Sequence, residues 1–103
     1  MLILTLLLYS LFFWQKSCIF LTGSLRIKFD LKCWYAGVTG YGRIYRNGVA
    51  VGIEQTVTNG DWQTESEDIA GWTATDLIQL YVHTTDITKA ATVRNFRVYG
   101  SIY

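Results

Sequence analysis

Any chemistry in this 103-residue chain would begin with its one histidine, a short acidic run and its arginine-tyrosine strands. His83 lies in LIQLYVHTT. An imidazole there works as a base only with a Ser or Cys beside it and a carboxylate behind it to fix its tautomer. Strand parity instead turns His83 away from the core with Tyr81 and Gln79, and Asp86 falls in the following turn. His83 therefore reads as a surface histidine. The acidic run ESED holds Glu65, Glu67 and Asp68. Paired carboxylates hydrolyse glycosides when held about 5–9 Å apart across a cleft. Glu65 and Glu67 share a strand face, but no apolar pocket is implied to raise either pKa. Asp61, Glu65 and Asp68 offer the oxygen ligands calcium wants, yet their spacing matches no loop motif. A solvated, self-repelling strand that discourages edge pairing is the expectation. No catalytic signature remains, so the chain is expected to be non-enzymatic, with no cofactor and no metal site.

GVTGYG precedes a strand rather than a helix, so it lacks the helix N-terminus that binds phosphate. Arg43, Arg46, Arg94 and Arg97 interleave with Tyr45, Phe96 and Tyr99, the pairing of cations and rings used by single-strand-binding sheets. The formal net charge of +1 argues against a nucleic-acid partner, because such surfaces are normally clearly basic. What stands out is a polar-aromatic face. Arg43, Tyr45, Gln79, Tyr81, His83, Asn95, Arg97 and Tyr99 are the candidate binding or interface residues. Rings of this kind stack on sugars while amides bind hydroxyls. Tyr and Arg are equally enriched where proteins meet, and three such faces would fit around a trimer axis. An ordinary exposed sheet face, stabilised by aromatic cross-strand pairs, is the plain alternative.

The elements that must position these residues are strands. The chain has no proline and is 16% aromatic, and its Val, Ile, Thr, Tyr and Trp content after Leu25 favours strands over helices. Ile27, Phe29, Leu31 and Cys33 alternate with Arg26, Lys28, Asp30 and Lys32, one buried face and one wet. SCIFL and LRIKFDLKCWY are expected to form a hairpin. Asn47-Gly48 is a strong two-residue turn signal. It pairs Arg46 with Val49, Tyr45 with Ala50 and Ile44 with Val51, placing Ile44, Val49, Val51 and Ile53 on one face. WQTESEDI reads as a strand and AGWTATD as a connecting turn hinged at Gly71, with Asp76 bonding locally. Ile78, Leu80 and Val82 oppose Gln79, Tyr81 and His83; Phe96 and Val98 oppose Asn95, Arg97 and Tyr99. Trp34 and Tyr35 end a strand, where they would rim a site or pack into the core. Short strands at regular spacing indicate an all-β, antiparallel, jelly-roll-like sandwich of about seven strands. That is few for a full jelly roll, so one edge is short or a neighbouring chain completes it.

Residues 1–15 form an apolar leader and 16–103 the β-sandwich domain. MLILTLLLYSLFFW is shorter than the roughly 20 residues of a membrane span, and it lacks the basic start and small-residue cleavage site of a signal peptide. Export or anchoring, burial within an assembly, and a miscalled start are the readings open to it. Membrane contact, if any, runs through residues 1–14. Cys18 and Cys33 are either two buried hydrophobes or, if their strands adjoin in an oxidising compartment, a bridge.

SLRIKFDLK, GRIYRNGVAVG, SEDIAGW, DLIQLYV and VRNFRVYG, taken in order, resemble β-sandwich domains of surface, fibre and tail-like proteins from phages, archaeal viruses and some prokaryotes. More distantly, the arrangement is similar to jelly rolls of trimeric head domains. The resemblance implies an extracellular, cell-surface or virion location and a structural or assembly module. Its partners would be copies of itself or a larger surface assembly. Carbohydrate or receptor adhesion through the polar-aromatic face is the alternative.

Overall fold

The computed structural model describes residues 23–58, 60–73, 75–86 and 88–100, together with the backbone of three short earlier strands. Those are β1 (Leu2–Leu7), β2 (Leu11–Phe12) and β3 (Cys18–Ile19). β4 (Gly23–Lys32), β5 (Gly40–Arg46), β6 (Val49–Ala50), β7 (Gln55–Val57), β8 (Gln63–Trp72), β9 (Leu77–Thr84) and β10 (Thr92–Tyr99) follow. The described residues contain no helix. From Gly23 onward the fold is an all-β sandwich of seven strands in two antiparallel sheets.

One sheet runs β10-β4-β8; the other joins β9 to β5, with β6 and β7 both pairing β5 and β1 adding to the far side of β9. The chain crosses between sheets from β4 to β5, β7 to β8, β8 to β9 and β9 to β10. Such crossing lets each sheet cover the other's apolar face. Leu25, Ile27, Phe29 and Leu31 of β4 meet Ile44 of β5 and Ile78, Leu80 and Val82 of β9 in a single core. The alternation seen in the sequence is the cause. Each of these side chains contributes on the order of 1.5–3 kcal/mol by leaving water. Gly42 lets β5 come close to the facing sheet, since a Cβ there would lie 2.9 Å from the Phe29 ring.

The Asn47-Gly48 turn has positive φ at both residues, 51° and 82°, as a type I′ hairpin requires. Tyr45 pairs with Ala50 and Arg46 with Val49 in the expected register. Val49 and Ile53, however, are exposed rather than core-facing. Val51 N and Gly52 N both donate to Ile44 O. That two-against-one bulge reverses parity beyond it and turns Ile53 outward, while Val49 sits at the hairpin tip. The expected SCIFL hairpin also differs. Cys18–Ile19 pairs with Leu11–Phe12, and β4 pairs with β8 and β10.

AGW is not a turn but the end of β8. Gly71, at φ 87°, shifts the register between Leu25 and Gly23 so that Trp72 enters the core. Asp76 caps the real turn, accepting from Thr73 N at 2.8 Å and from Asn47 Nδ2 at 2.9 Å. Cys33 is a free, buried thiol 3.5 Å from Val38 O. β1 pairs antiparallel with β9, Leu2 opposite Val82 and Leu7 opposite Leu77. The other expectations for residues 1–22, among them export, anchoring, membrane contact and the Cys18 thiol, lie outside the described residues.

Candidate functional site

Strand parity and sheet membership together decide where the eight candidate residues lie, and they divide them. Arg43 and Tyr45 on β5 and Gln79, Tyr81 and His83 on β9 face outward from one sheet. Asn95, Arg97 and Tyr99 belong to β10 and the other sheet. The single polar-aromatic face expected from the sequence is therefore two faces on opposite sides of the sandwich. Alternation tells which way a side chain points relative to its strand but not which sheet holds the strand.

On the β5-β9 face, Tyr41 lies opposite His83 and Arg43 opposite Tyr81. The Tyr41 and His83 rings stack with centroids 4.6 Å apart, and Tyr45 stacks diagonally on Tyr81 at 4.0 Å, nearly parallel. Such pairs stabilise the sheet on which they stand. Glu54 comes in from the loop after β6, its carboxylate 3.6 Å from His83 Nε2. Arg43 Nε donates to Gly52 O at 2.7 Å. Gln79 is occupied differently, accepting the Gly48 N–H at 2.7 Å and so holding the hairpin tip. A shallow cavity of about 230 Å³ lies among Tyr41, Arg43, Tyr45, Glu54, Tyr81 and His83. Tyr41 and Glu54 were not among the sequence candidates. Both were legible as neighbours of that face: Tyr41 alternates in phase with Arg43 and Tyr45, and the hairpin register expected from Asn47-Gly48 sets Glu54 on the same side as Arg43 and Tyr45.

On the opposite face, Asp30 was expected on the wet side of β4. It does point outward, yet it is only 5% exposed. Its oxygens accept from Thr64 Oγ1 at 2.8 Å, Asn95 Nδ2 at 2.9 Å and Arg94 Nε at 3.1 Å, with Arg97 Nη1 3.6 Å away. Asn95 reaches it because a bulge between Arg94 and Arg97, with Asn95 at φ 54°, shifts the register there. Burial pushes the Asp30 carboxyl up, but the hydrogen bonds from Asn95, Thr64 and Arg94 and the charge of Arg97 outweigh it and bring it down to about 2. Asn95 and Arg97 are thus clamps on a buried carboxylate. Nearby, Arg26 holds Asp68 through two contacts of 2.8 and 3.1 Å. That pairing draws the Asp68 carboxyl below its usual range.

The acidic run is not the solvated, exposed strand that was expected. Glu65 and Glu67 stand opposite Phe29 and Ile27 on the inner side of β8. Glu67 accepts the Ile53 N–H with both oxygens, at 2.9 and 3.1 Å. Glu65 is buried and bonds Gln63 Nε2. At this sheet edge the carboxylates satisfy polar groups that a shorter side chain would leave bare. Asp68 points the other way, so Glu65 and Asp68 do not converge; among the described residues no cluster of three or more His, Cys, Asp or Glu could hold a metal ion.

Trp34, Trp62 and Tyr99 gather cations. Lys32 Nζ lies 3.6 Å above the Trp34 ring and 5.4 Å from that of Trp62; Arg94 lies 4.0 Å over Trp62, and Lys28 5.7 Å from Tyr99. Trp34 and Tyr35 are exposed, not core aromatics. The class the geometry defines is an antiparallel β-sandwich with two dissimilar outer faces. No protein-family model matches the chain, and no curated protein or solved structure does so either.

Proposed function

We propose that this protein is a non-enzymatic assembly module that packs against copies of itself, through the outer face of β5 and β9, in a surface, fibre or virion-type structure. The observation that carries this reading is the charge balance of a ring-covered face. Arg43, Glu54 and His83 stand among Tyr41, Tyr45 and Tyr81, so the face offers both signs to an identical partner. Tyr and Arg are the residues that dominate protein interfaces. The opposite face carries an excess of cations and repels its own copy.

Carbohydrate or receptor adhesion remains the second reading, on the strength of the cavity among the same rings. Its volume of about 230 Å³ falls short of the roughly 300–1,000 Å³ of small-molecule sites. The test is solution mass by light scattering on a sizing column. The native chain is expected to run as a closed oligomer, and Tyr45→Ala with Tyr81→Ala as a folded monomer. A monomeric native chain at high concentration would sink the reading and send the work to a glycan screen.

A further inference from the structure

The net charge of +1 averages two unlike faces. On the outer side of the β10-β4-β8 sheet stand Arg26, Lys28 and Lys32 of β4 and Arg94 and Arg97 of β10, against the carboxylates Asp30 and Asp68. Both carboxylates are already engaged, Asp30 by Arg94 and Arg97 and Asp68 by Arg26. The formal excess on this outer side is three cations, or two if Asp61 of the loop before β8 is counted with them; Glu65 and Glu67 of β8 lie on the inner side. The cations alternate with rings: Lys28 with Tyr99, Lys32 with Trp34 and Trp62, Arg94 with Trp62. Trp34 is 64% exposed and Tyr99 52%.

From this placement we propose that the outer face of the β10-β4-β8 sheet binds single-stranded nucleic acid. Sequence-tolerant single-strand binding needs a basic track for phosphates and rings on which unpaired bases stack, and this face supplies both. A duplex hides the faces of its bases and leaves Trp34, Trp62 and Tyr99 without a use. A sulfated polysaccharide would engage the cations but offers no planar bases to stack on the exposed rings. The proposal does not depend on self-assembly, which uses the other outer face.

The test is fluorescence polarisation with the full chain and a labelled oligothymidylate of about 12 nucleotides, within the span one such sheet covers, in about 50 mM salt. Binding is expected, with log Kd rising against log salt at a slope of about 2, as roughly three neutralised phosphates on a single strand predict. Lys28→Glu with Lys32→Glu is expected to abolish it. Trp34→Ala, at an exposed site, is expected to weaken it about tenfold through lost stacking. No binding at about 100 µM protein, near the weak end of non-specific affinity, would overturn the proposal. So would full affinity in both variants, or a preference for a sulfated polysaccharide over the oligonucleotide.

Discussion

Asp30 is the residue where type and surroundings are most at odds, a carboxylate nearly without solvent on the outer side of a sheet. It is stable there because the side chains around it supply what water would. Thr64, Asn95 and Arg94 donate hydrogen bonds, and Arg97 adds charge. A folded-state pKa of about 2 lies below the unfolded value near 3.9. The group therefore contributes stability above the unfolded pKa and loses it as pH falls through the folded one. The difference corresponds to roughly 2–3 kcal/mol. Urea midpoints taken from pH 6 down to pH 2 should fall for the native chain, with much of the drop below pH 4. Asp30→Asn should start lower at pH 6 and fall less, because the amide does not titrate. Parallel curves for the two proteins would refute the assignment of acid sensitivity to this carboxylate.

At the scale of the element, the β5-β6 hairpin shows how one residue serves two structures. Asn47 takes the left-handed conformation that its turn requires. Its side chain also accepts the Leu77 N–H at 2.8 Å and donates to Asp76 at 2.9 Å, tying the hairpin to the start of β9. Asn47→Gly keeps the conformation and loses the ties; it should cost about 1 kcal/mol, the net worth of a hydrogen bond or two. Asn47→Ala loses both and should cost about 2–3 kcal/mol, the extra being the left-handed penalty. Equilibrium denaturation decides: equal costs would mean the left-handed penalty contributes nothing, and no cost for Asn47→Gly would mean the same of the ties. This turn and the alternation of β4, β5 and β9 were legible because period and turn chemistry are local. What the sequence hid was non-local. Gly52, Gly71 and Asn95 sit at bulges or register shifts, each of which breaks a parity that counting residues assumes constant. Glu65 and Glu67 follow inward parity with Ile69, a position their charge argued against. Glu67 is held there by Ile53 N, a partner that becomes a neighbour only when the two sheets close, and Glu65 by Gln63, two residues along its own strand.

For the whole molecule, sheet membership decides the shape and which side chains share an outer face. His83 and Arg97 look alike in sequence, as outward residues of alternating strands, and end on opposite sides. The same topology sets the folding problem. β4 meets β8 through pairs such as Leu25 with Ile69 and β10 through pairs such as Leu31 with Val93. Neither contact can form until a long loop has closed, at an entropic cost that local structure does not repay. Refolding should therefore fall in the range of milliseconds to seconds, as for other sandwiches. It should also be free of the phase of tens of seconds that proline isomerisation imposes, because the chain contains no proline. The buried Trp72 ring, with the Arg46 guanidinium 5.0 Å from its centre, reports closure of the core. Stopped-flow fluorescence from urea should show its full amplitude recovered within seconds. Trp34→Phe and Trp62→Phe, on the outer face, together with Trp14→Phe, should leave Trp72 as the one tryptophan of the chain and remove the background signal without changing the rate. A surviving slow phase that sharpens with protein concentration would assign the delay to association of chains rather than to closure of one sandwich. Its loss in Tyr45→Ala with Tyr81→Ala would trace that association to the β5-β9 face.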